Sequence, residues 1–122
     1  MLAYNCLTVI SILQIGYVAA LVETRAIMLV KDGYQVVSAL GNDQGISMAP
    51  SRLFDVVVVG FSDHHQTRNQ MVRWLKQNLP GVPVVALAAH GYEAFPEADC
   101  VTLSEDPRVW LAAVAGCAKK PS

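Results

Sequence analysis

Charged side chains are scarce. Asp, Glu, Lys and Arg make up 16% of the 122 residues, the net charge is −1, and the nine Lys and Arg are scattered without a basic stripe. Aromatic residues are few and are not interleaved with basic ones. A nucleic-acid partner therefore has no electrostatic footprint, because phosphate backbones are held by clustered cations. Cysteine is also rare: Cys6, Cys100 and Cys117 are odd in number, far apart and form no CxxC pair. They read as free thiols in a reducing, cytoplasmic setting, and a zinc site lacks its ligand spacing. GxGxxG, Walker A and GxSxG patterns are missing. That removes a phosphate cradle and a nucleophile elbow. No enzymatic activity, cofactor or metal is expected.

What is abundant is apolar surface. Hydrophobic residues make up 53% of the chain, too many for disorder. The length suits one domain, residues 1–122, able to hold a core without disulfides. The apolar excess over what a soluble surface needs points to area covered by a partner.

Residues 1–22 carry no charged side chain. A membrane helix needs about 20 predominantly apolar residues, but Asn5, Thr8, Ser11, Gln14 and Gly16 punctuate this run. A signal peptide needs a positive n-region, and none is present. CLTVISIL is rich in β-branched residues and reads as a buried strand. Gly16 breaks it, and a helix starts near Val18 with Val18, Leu21, Val22, Met28 and Leu29 on one face. No membrane association is expected.

Strands and helices alternate beyond that point. Gly33 suits a helix C′ position, and YQVVS (34–38) is a strand. Asn42 or Asp43 can cap a short helix that ends by Pro50. FDVVVV (54–59), apolar on both faces, is the signature of a strand covered on both sides. Ser62 or Asp63 can cap the next helix, whose apolar face carries Met71, Val72, Leu75 and Leu79. Arg68, Arg73 and Lys76 are expected to reach solvent. PVVAL (83–87) and CVTL (100–103) are strands. Asp106 as N-cap with Pro107 at the first helical position opens a last helix, which buries Val109, Trp110, Ala113 and Val114. This alternation means a doubly wound parallel sheet.

KDGYQVVSA (31–39), FDVVVVG (54–60), LPGVPVVALAA (79–89) and ADCVTLS (98–104), in that order and spacing, resemble the receiver domain of bacterial response regulators. The resemblance runs from about Leu7 to Cys117. It implies a flavodoxin-like α/β fold, a five-stranded parallel sheet of order 2-1-3-4-5 with its site at the carboxyl ends of the strands. In such a domain an aspartate after strand three accepts a phosphoryl group and two acidic residues after strand one hold Mg²⁺. A Ser or Thr after strand four and a Lys after strand five neutralise the phosphoryl oxygens.

Carried over position by position, the acceptor falls on Gly60 and the acidic pair on Gly16 and Tyr17. The hydroxyl position falls on Ala88, the lysine on Ser104 and the aromatic switch on Val101. None of these side chains supplies the chemistry. Only about ten residues, Ala88 to Glu97, separate strands four and five, so the helix between them is expected to be shortened or absent. Asp63 is a substitute acceptor only with a remodelled loop, and otherwise a helix cap. Asp55 lies at the wrong end of its strand.

His64, His65 and His90 could share one rim as metal ligands, but no acidic or thiol ligand completes the set. Tyr92 and Phe95 are either an exposed anchor for a protein partner or a plug for the space of the missing helix. The expected function is a phosphorylation-independent pseudo-receiver without an output domain. It would act as a protein-interaction adaptor in bacterial two-component-type signalling, through a signalling partner or self-association. The alternative is a small-ligand sensor that uses the room left by Gly16, Gly60 and Ala88.

Overall fold

Four successive valines that are all buried need cover on both faces, and Val56–Val59 has it. The computed structural model describes residues 9–61, 64–89 and 94–118. It makes these valines β3, the central strand of a parallel sheet with β1 (Ser11–Gly16), β2 (Gln35–Leu40), β4 (Val84–Ala88) and β5 (Cys100–Leu103). The order is β2-β1-β3-β4-β5, and every neighbouring pair is parallel. This is the flavodoxin-like order that the sequence implies.

Helices α1 (Ala19–Lys31), α2 (Gly41–Met48), α3 (His65–Asn78) and α4 (Pro107–Ala118) flank the sheet. Strand alternation sends Leu13, Ile15, Val57, Val59 and Ala86 to one face, against Met71, Val72 and Leu75 of α3. Ile12, Val56, Val58, Val85 and Leu87 go to the other, against Leu29 of α1 and Trp110 and Val114 of α4. Each such side chain contributes roughly 1.5–3 kcal/mol by leaving water. Among the described residues no helix lies between β4 and β5. Residues 90–93 of that connection lie outside the described set. No helix among the described residues is long and apolar enough to cross a membrane.

Two helix ends follow their sequence signals. Gly33, at φ +97°, follows the C-cap Asp32 of α1, a conformation that a Cβ disfavours. Asp106 accepts the Arg108 N–H through Oδ1 at 2.9 Å, with Pro107 opening α4.

Other expectations need correction. The strand read at CLTVISIL is Ser11–Gly16, with residues 6–8 outside the described residues, and Gly16 is its last residue. Gln14 is tolerated in the core because its Nε2 donates to the Val22 carbonyl and to Ser38 Oγ, both at 3.0 Å. The strands read at 34–38, 54–59 and 83–87 are Gln35–Leu40, Val56–Val59 and Val84–Ala88. On α1, Val18 and Leu21 are exposed, and the buried stripe is Val22, Arg25 and Leu29. On α4, Val109 is exposed while Trp110 and Val114 are buried. Neither Asn42 nor Asp43 caps α2: Leu40 is its N-cap, and the Leu40 N–H donates to Gln44 Oε1 at 2.8 Å. The N-cap of α3 is His64. Ser62 and Asp63 lie outside the described residues. Arg68 does not reach solvent, and is fully buried.

Candidate functional site at the carboxyl edge of the sheet

A parallel sheet points all its carboxyl ends the same way, and ligands of open α/β sheets bind there. Gly16 ends β1 and Tyr17 follows it, Ala88 ends β4, and Gly60 and Ser104 follow β3 and β5 directly. The Gly60 N–H donates to the Ile15 carbonyl at 2.7 Å and the Ser104 N–H to the Ala88 carbonyl at 2.8 Å. Five of the six positions carried over from the receiver resemblance, Gly16, Tyr17, Gly60, Ala88 and Ser104, therefore share one edge.

The chemistry at that edge is sparse. A Cβ on Gly16 would overlap Val22 Cγ2, so the missing side chain lets α1 approach the strand. Tyr17 donates its hydroxyl to Asn42 Oδ1 at 2.6 Å, and Asn42 Nδ2 donates to the Thr67 carbonyl at 3.0 Å. Burial raises the Tyr17 pKa well above the ordinary phenol range, opposed in part by the Arg68 charge. Its hydroxyl is tied to α2 through Asn42, which in turn holds α3. Ala88 is buried and carries no hydroxyl. Val101, where the receiver resemblance puts the aromatic switch, is exposed.

Two arginines occupy the edge, one on each face of the sheet: Arg68, expected from the sequence to reach solvent, and Arg25, which the sequence did not single out. Arg68 of α3 is 0% exposed. Its Nη1 donates to the Leu87 carbonyl at 3.1 Å, and its guanidinium lies 5.1 Å from the ring centroids of Phe61 and of Phe95. Cation–π contacts and a buried carbonyl offset its lost hydration. Arg25 of α1 is 7% exposed. A Cβ on Gly60 would stand 3.0 Å from Arg25 Nη1, 3.3 Å from the Ile15 carbonyl oxygen and 3.5 Å from Gly16 Cα. Desolvation pulls the Arg25 pKa below that of a free guanidinium, yet a guanidinium keeps its charge at neutral pH. The room expected at Gly16 and Gly60 is thus taken by Val22 and Arg25.

The signal for both arginines was helical phase. Arg25 lies three residues after Val22 and four before Leu29, and Arg68 three before Met71 and seven before Leu75. Both spacings put the arginine on the buried stripe.

The remaining candidates separate. Phe95 is 4% exposed and packs in the core beside His65, with ring centroids 4.8 Å apart. It is a plug and not an exposed anchor, because Arg68 and His65 draw the ring inward. Asn69 Nδ2 fixes the same loop by donating to the Ala94 carbonyl at 3.0 Å. Tyr92, His90 and Asp63 lie outside the described residues. His65 Nε2 lies 2.7 Å from Asn69 Nδ2. Among the described residues, no three His, Cys, Asp or Glu side chains come together as a metal-binding group. Asp55 Oδ2 accepts the Ser11 N–H at 2.8 Å, at the far end of the sheet.

No protein-family model matches the sequence, and a search of curated proteins finds no match. Solved structures do match in fold. The chemotaxis response regulator CheY4 of Vibrio cholerae is 16% identical, with a TM-score of 0.79, over 90% of this chain and 99% of its own. The response regulator TrrA of Thermotoga maritima, in complex with Mg²⁺ and beryllium fluoride, is 13% identical with a TM-score of 0.78, over the same shares. A third match is the complex of the histidine kinase ThkA with TrrA, at 15% identity and a TM-score of 0.77, over 88% of this chain and 97% of that one. The chain has the fold of the receiver domains of two-component signalling proteins.

Proposed function

We propose that this chain is a phosphorylation-independent receiver-fold module, a protein-interaction adaptor in two-component-type signalling. One observation carries the reading. The positions that would bear the acceptor, the metal-binding acids, the hydroxyl and the lysine are Gly60, Gly16 with Tyr17, Ala88 and Ser104, and the Arg25 guanidinium lies against Gly60. A cation there repels Mg²⁺ and cannot be phosphorylated as a carboxylate can. What remains is a scaffold with surfaces.

Among those surfaces α1 offers an apolar outer face. Ile27 and Val30 are 69% and 57% exposed and line a shallow apolar depression with Ala26 and Lys31. Large apolar side chains grouped at a surface suit a protein contact. The ThkA–TrrA complex gives a receiver with a protein partner as precedent. The free thiols Cys100 and Cys117 suit a cytoplasmic setting.

The test is sedimentation velocity with affinity capture, on the wild type and on Ile27→Glu/Val30→Glu. The wild type is expected to self-associate or to retain a signalling protein, and the double variant to lose that contact while unfolding at the same urea concentration. A monomer that retains no protein contradicts the proposal. A second reading, a small-ligand sensor, is favoured by one feature only, the state of Arg25.

A further inference from the structure

Among the described residues Arg25 has no hydrogen-bond or ion-pair partner, and burial alone perturbs it. Arg68 shows the contrast. It is fully enclosed, where Arg25 keeps 7% of its surface exposed, and is held by a carbonyl and two rings. Burying a charge is costly unless it is paired, so an unpartnered guanidinium over a strand end calls for an anion. Its surroundings agree. The first turn of α1 carries no acidic residue and no side-chain cap, so no carboxylate of that turn competes and its N–H groups add a positive dipole end. Gly60 brings no side chain, so Arg25 Nη1 lies directly against the edge of β1 and β3, where a Cβ on Gly60 would stand 3.0 Å from it.

We infer that Arg25 anchors a binding site for a small oxyanion, the phosphate or carboxylate head of a small molecule, at the carboxyl edge of β1 and β3. The guanidinium fork presents paired donors to two oxygens of such a group. The 7% of Arg25 left exposed admits a small head and not a broad surface. The site needs no Mg²⁺ and forms no covalent bond. It goes beyond the adaptor reading and does not depend on it.

The test is a titration at constant ionic strength, with chloride as the balancing anion, of inorganic phosphate and separately of acetate. It is followed by amide and arginine Nε–H resonances. One of the two probes is expected to bind saturably without Mg²⁺, moving the Arg25 Nε–H and the Gly16 and Gly60 amides. Saturation by phosphate alone assigns a phosphate head, and by acetate alone a carboxylate head. Arg25→Gln should weaken binding by about tenfold or more, as expected for a charged hydrogen bond. Gly60→Asp leaves the arginine in place but sets a carboxylate beside Nη1, and should abolish binding as an internal competitor. It decides the matter if Arg25→Gln does not fold. Linear, non-saturating shifts with both probes, or binding unchanged in Gly60→Asp, overturns the inference.

Discussion

A guanidinium removed from water needs partners that replace its hydration, and the protein supplies more of them to Arg68 than to Arg25. Arg68 fills the space between Phe61 and Phe95 and satisfies the Leu87 carbonyl. Arg68→Ala should therefore cost about 3 kcal/mol or more, through the cavity and the orphaned carbonyl together. Among the described residues Arg25 has no such partners. Arg25→Met keeps much of the volume, removes the enclosed charge, and should stabilise the anion-free protein by about 1 kcal/mol. Urea unfolding of both variants checks the pair, which should move in opposite directions from the wild type.

At the level of elements, Asp99 joins three of them. Its Oδ2 accepts the Val84 N–H at 2.7 Å where β4 begins and Lys76 Nζ of α3 at 2.8 Å, one residue before β5. Desolvation acts to raise its pKa, but the Lys76 and Val84 hydrogen bonds and the Lys76 charge outweigh it, and the net shift is downward. A carboxylate with a lowered folded pKa adds stability above its unfolded pKa, and loses it as pH falls through the folded value. Asp99→Ala should cost about 1 kcal/mol at neutral pH, since the pair is partly exposed. The difference should shrink below about pH 4. Chemical unfolding at a series of pH values checks this.

Element type and order were legible because the valine runs and the alternation of strand and helix are strong signals. Boundaries were less so. The apolar texture continues through residues 6–16, and only pairing with β2 and β3 selects Ser11–Gly16. That Gly16, Tyr17, Gly60, Ala88 and Ser104 lie at one edge was also legible, since the end of each strand locates them. Arg25 and Arg68 were not, because a pattern that scores apolar residues passes over a charge on the buried stripe. Their surroundings are brought together only by the tertiary fold: Leu87 and Phe95 for Arg68, Gly60 for Arg25. Phe95 needed the same knowledge, since its ring is turned inward by side chains from α3.

For the whole molecule, the sheet order, the parallel pairing and the crossovers reproduce a receiver fold, while the edge that would carry phosphoryl chemistry holds glycine, alanine, a hydrogen-bonded phenol and an arginine. The scaffold and the chemistry are separable because core packing depends on the strand interiors, and the site on the first residue beyond each strand. The most direct measurement is an amide NMR titration with Mg²⁺ followed by beryllofluoride, a mimic of phosphorylated aspartate. No resonance should move, apart from effects that free fluoride produces by itself. Concerted Mg²⁺-dependent shifts at Gly16, Gly60 and Ser104 would contradict a phosphorylation-independent module and mark a working acceptor at this edge.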